Sequence, residues 1–101
     1  MDLPRFRKTL AAAAPPPELT DLGRALWYAG RGDWDRAHDI VEVDPSAAGA
    51  AVHAYLHRVE GDDWNSDYWY RRAGRQRPGG TVEEEWEGLV GEFVKAPGGR
   101  P

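Results

Sequence analysis

The sequence predicts an all-α domain: two stacked antiparallel helical hairpins followed by a C-terminal amphipathic capping helix. Three observations carry this. Apolar residues recur at three- and four-residue intervals in five stretches, as one face of a helix requires. Glycine followed by aspartate occurs at 32–33 and again at 61–62, a spacing of 29 residues that lies in the range of stacked helical units. Prolines and glycines gather at the N-terminal end, at junctions and at the tail, leaving the interior free for ordered elements.

Each element has its own signals. Residues 1–17 are expected as a mobile, basic and proline-rich arm. The alanines at 11–14 favour a short helix, but Pro15, Pro16 and Pro17 deny it continuation. A helix is predicted from Glu18, with Glu18 and Asp21 in the first turn and Leu19, Leu22, Leu26 and Ala29 on one face; Gly30 to Gly32 ends it. Asp33 caps a second helix, Trp34 to Val43. Asp44-Pro45-Ser46 stops that helix and starts a third, capped by Ser46 or Asp44 and running to about Val59. Gly61-Asp62-Asp63 ends the third and caps a fourth, Trp64 to Gly74. Thr81 and Glu84 stand at capping-box spacing before a fifth helix, 82–95, whose apolar face is Val82, Trp86, Leu89, Val90, Phe93 and Val94. Residues 18–95 therefore form a single helical repeat-like domain, and residues 96–101 are expected as a disordered tail.

Composition excludes several function classes. With no cysteine among 101 residues, disulfides, thiolate metal sites and cysteine nucleophiles are ruled out. No apolar run approaches the ~20 residues of a membrane span, and the basic N-terminal stretch carries no hydrophobic region of signal-peptide type, so a cytoplasmic location is expected. The net charge of −4 argues against general attraction to nucleic acid. No glycine-rich phosphate loop or serine elbow is present, and His-Ala-Tyr-Leu-His lacks the glutamate that a metalloprotease helix places after its first histidine.

Glycine, aspartate and tryptophan at each hairpin turn, with Ala54, Gly61, Ser66, Ala73 and Pro78 in the second unit, make the hairpins resemble tetratricopeptide-type repeats. The strings GDWDRAHDIVE, VHAYLHRVEGD and YWYRRAGR, spanning residues 27–75, resemble a family of small bacterial proteins of unknown function. That family resemblance implies a small helical repeat-like domain with no assigned activity; the leading expectation is a non-catalytic interaction module that binds a protein segment or small partner, with Tyr55 and Arg58 as contacts by analogy with the repeat's inner groove.

Two constellations could carry chemistry. His53 and His57 are four apart and share a helix face that Glu60 continues, and His38 and Glu42 are four apart on the preceding helix. If those helices are neighbours, all three histidines and a carboxylate converge on a divalent ion such as zinc or iron. The competing reading is a packed polar stripe hydrogen-bonded to neighbouring groups. On the fourth helix Trp64, Tyr68, Arg71 and Arg75, with Arg72 beside them, form an aromatic and arginine stripe. That stripe binds a partner or an anion if free, or is neutralised internally by Glu60, Asp62, Asp67 and the acidic run Glu83 to Glu87.

Overall fold

Six helices make up the fold in the computed structural model, which describes residues 1–94: α1 (Leu3–Thr9), α2 (Asp21–Gly30), α3 (Trp34–Glu42), α4 (Ala47–Val59), α5 (Asp63–Arg72) and α6 (Val82–Phe93). There is no strand among the described residues, and no helix of them is long and apolar enough to cross a membrane. The expected tail, 96–101, lies outside the described residues.

The repeat of 29 residues is a repeat of one turn. After α2 and after α4 a glycine takes a left-handed conformation, Gly32 at φ 79° and Gly61 at φ 85°, which a side chain would strain. The following aspartate donates its N–H five residues back, Asp33 to the carbonyl of Tyr28 and Asp62 to that of His57, both at 2.9 Å. Each aspartate side chain then accepts the N–H three residues on, from Arg36 and from Asn65, and so opens the next helix. One aspartate thus closes one helix and caps the next, which makes α2–α3 and α4–α5 antiparallel hairpins.

The hairpins stack through α3 against α4 and α2 against α4. Ala54 and Ser66 are fully buried, and the Ser66 hydroxyl donates to the Ala54 carbonyl at 3.1 Å, so small residues let α4 and α5 approach closely. Gly49 serves another purpose: a Cβ there would stand 2.6 Å from Asp44 Cγ, so the glycine makes room for the Asp44 side chain, which caps Ser46 N–H at 2.9 Å, rather than for a helix.

Two elements depart from expectation. The N-terminal stretch expected as an arm is a helix packed into the domain. Asp2 caps it and Pro4 opens it; it closes at Thr9, whose hydroxyl donates back to the Phe6 carbonyl at 2.6 Å, before the alanines. Phe6 is fully buried beside Trp86, Arg7 pairs with Glu83 and Glu87, and the Trp27 indole donates to the Thr9 carbonyl. Likewise, α2 begins at Asp21 rather than Glu18, because Thr20 is the residue whose hydroxyl accepts the Gly23 N–H.

α6, opened by the expected Thr81–Glu84 capping box, lies across α2 and α4 with α1 beside it. The Trp86 indole donates to the Leu26 carbonyl at 2.9 Å. Below it Glu85, buried, accepts from the Tyr70 hydroxyl at 2.6 and 2.7 Å and from Arg58 at 2.9 Å. Burial first, then this hydrogen bond, pushes the Tyr70 phenol up from its ordinary value.

Candidate functional site

Where α3, α4 and α5 meet, the three histidines of the chain come together. Asp33 sets the start of α3 and so the phase of His38; Ser46 sets α4 and so His53 and His57, one turn apart. Nε2 of His53 stands 3.1 Å from Nε2 of His38, and one ring nitrogen from each of the three residues lies within 4.8 Å of the other two. The His53 and His57 rings stack at 5.0 Å, and the His38 ring meets both edge-on at 4.7 and 5.5 Å.

Carboxylates stand behind the cluster. Glu60 Oε2 is 2.7 Å from Nδ1 of His57, which leaves Nε2 as that ring's free nitrogen. Glu42 Oε1 is 4.0 Å from Nδ1 of His38, again on the side away from the cluster. His53 has no such partner: its Nδ1 is buried and makes no hydrogen bond. Burial, then the proximity of His38 and His57, lowers the His53 pKa to about 4, so this imidazole is neutral at physiological pH.

Two tryptophans wall the site. Trp34 stacks on His38 at 4.7 Å and anchors itself by donating its indole N–H to the Leu56 carbonyl at 2.6 Å. Trp69 stacks on His53 at 3.9 Å. Nothing in the sequence marks Trp69 as the cover of a histidine, since the contact joins α5 to α4 across sixteen residues. The hairpin turn does hint at Trp34, which follows the capping Asp33 and precedes His38 by one helical turn.

The other predicted residues are placed differently. Tyr55 is buried, its phenol pushed up to about 12 mainly by that burial and then by Glu83 and Glu85. Arg58 is held by Glu85 and by the Gly80 carbonyl. Arg58 thus sits against α6, and Tyr55 has Glu83 and Glu85 of α6 nearby while also lining a small cavity with Ala29, Trp34 and Val59. Arg75 pairs with Glu92 of α6. Arg71 and Arg72 have no carboxylate partner among the described residues; Arg72 lies over the Tyr68 and Trp69 rings instead. The acidic run of α6 is otherwise committed: Glu83 and Glu87 to Arg7, Glu85 to Arg58, Glu84 to its own cap.

No family model matches the chain, and no curated protein or solved structure matches it at a significant level.

Proposed function

We propose that this protein binds a divalent metal ion, zinc by preference, through His38, His53 and His57, with Glu60 orienting His57 from behind. The observation that carries the reading is the convergence of all three histidines from two different hairpins. Two nitrogens about 2.05 Å from a tetrahedral zinc stand roughly 3.3 Å apart, and the His38–His53 pair is at 3.1 Å. Ligating histidines ordinarily give their second nitrogen to a carboxylate, carbonyl or water, and His57 has that arrangement with Glu60. Metal binding also requires neutral imidazole, the form in which burial holds His53. Three imidazoles without sulfur or a ligating carboxylate suit zinc better than the two-histidine, one-carboxylate set of oxygen-activating iron.

The test is elemental analysis of purified protein, paired with calorimetric titration of chelator-treated protein with Zn²⁺. One ion per chain is expected, lost in His57→Ala. Metal-free protein that also shows no saturable Zn²⁺ binding ends the proposal.

One observation favours a second reading, protein-partner binding. The face that offers aromatic and cationic contacts together is the outer side of α5. There Trp64 is 75% exposed, Tyr68 lies parallel to it at 6.3 Å, and Arg71 and Arg72 lack carboxylates among the described residues. An acidic segment suits that face. Poly-glutamate should shift the tryptophan emission of the native protein and not of Trp64→Ala; no shift at low salt removes this reading.

A further inference from the structure

We infer that the three-histidine centre is open, with a fourth coordination position that exchanges water for a small oxygen or nitrogen anion. This rests on the metal reading above and goes further, because it separates a site that binds an outside ligand from a closed structural staple. Closed zinc sites take four protein ligands; sites that work on an exchangeable ligand take three.

Four features of the centre support the open form. The converging group consists of three histidines, with no fourth donor in it among the described residues; the carboxylates that gather nearby do so around one histidine each, Asp39 and Glu42 at His38 and Glu60 and Asp62 at His57. The nearest carboxylates approach His57 and His38 at Nδ1, and the His38 nitrogen that faces His53 is Nε2, so Glu42 and Glu60 stand behind the rings rather than among the ligands. Cysteine is no source of a fourth ligand, since the sequence has none. Finally, the remaining walls are the faces of Trp34 and Trp69, which shield His38 and His53 but offer no lone pair.

The same residues say where a ligand enters. His53 and His57 are both buried, at 4% and 8% exposed, whereas His38 is only half-buried, so the route to solvent runs along His38. Charge favours an anion there. Three neutral imidazoles leave the double charge of the ion undiminished, and a bound water under that charge is strongly acidified. The ligand class is therefore small and anionic: hydroxide, azide, thiocyanate or a short carboxylate.

Cobalt(II) substitution tests this, because its visible absorption reports coordination directly. Chelator-treated full-length protein loaded with one equivalent of Co²⁺ is titrated with azide. The expected result is a visible band that shifts saturably with azide. Glu60→Gln is expected to weaken Co²⁺ binding about 10–100-fold, yet to keep the same band and the same azide response once loaded. If Co²⁺ does not bind the native protein, the metal reading itself fails. If Co²⁺ binds but azide leaves the band unmoved, the centre is closed and the present inference alone is overturned. An azide response that appears only in Glu60→Gln also overturns it, since Glu60 then occupies the fourth position.

Discussion

Removal of the Glu85 carboxylate should cost this domain a large part of its stability, and the structure says why. Glu85 is on α6, yet its side chain is only 6% exposed and receives hydrogen bonds from the Tyr70 hydroxyl and the Arg58 guanidinium. Glu85→Ala strands two donors at once, a buried phenol and a guanidinium whose side chain is 14% exposed. Breaking a buried pair by deleting one partner costs about 3–5 kcal/mol, against a total of roughly 5–15 kcal/mol for a domain of this size. Glu85→Gln keeps an acceptor of the same shape and gives up the charge, so its cost should be about 1–2 kcal/mol. Urea unfolding followed by tryptophan fluorescence measures both, and a double-mutant cycle with Arg58→Met isolates the pair. A cost within about 0.5 kcal/mol for Glu85→Ala, or no coupling to Arg58, would refute the account of α6 as a helix pinned across α2 and α4.

Further expectations concern the other unusual positions. Phe6→Ala should destabilise the domain by about 3–5 kcal/mol, because Phe6 is fully buried beside Trp86; an unchanged urea midpoint would return residues 1–17 to the status of an arm. Gly61→Ala should cost about 1 kcal/mol through backbone strain at φ 85°, with nothing near enough for the new methyl to strike, so calorimetry should show a modest fall in Tm and no change in structure. In chelator-treated protein, stability should decline as pH falls from 6.5 towards 4. His53 has its folded pKa lowered to about 4, so the unfolded chain takes up the proton first and gains. At 1.36 kcal/mol per pKa unit the full loss is about 3 kcal/mol. A His53→Phe variant should lack this component in urea titrations run across that range, and identical pH profiles for the two proteins would show that His53 does not titrate as its burial demands.

The fold was legible where the signal is local. Asp33, Ser46, Asp62 and the Thr81–Glu84 pair are short-range caps, and each sets a helix start within a residue of where the sequence places it. What resisted reading depends on partners distant in sequence. Nothing within residues 1–17 announces Phe6 as core, because its neighbour Trp86 is on another helix and a seven-residue helix is too short for a periodic stripe. The histidine cluster was half legible: a four-residue spacing puts His53 and His57 on one face, whereas His38 joins them only if α3 packs on α4. The arginines were the least legible. Charge complementarity pointed the stripe at α6, but α6 spends Glu83 and Glu87 on Arg7 and Glu85 on Arg58, leaving Arg75 with Glu92 and Arg71 and Arg72 unpaired among the described residues.

α4 supplies the strongest physical reason to treat its histidines as more than packing. Residues 49–57 are buried without a break, which makes this the central helix, enclosed by α2, α3, α5 and α6. A helix buried all round is ordinarily apolar, and this one is, with two imidazoles and the Tyr55 phenol as the exceptions. His53 is the more costly of the two, since its Nδ1 has no partner and a stranded polar atom costs about 1–3 kcal/mol. Leucine is similar in size and has nothing to desolvate. If packing alone governed this position, His53→Leu would be a better residue, and it should indeed leave the metal-free protein as stable as the native chain or more so. The same substitution should abolish Zn²⁺ binding and the rise in Tm that Zn²⁺ brings to the native protein. That pairing of stability kept with binding lost marks a residue held for function at the expense of the core. A His53→Leu protein that is several kcal/mol less stable than native in the presence of chelator would mean the opposite: the imidazole is there to pack against Trp69 and His38.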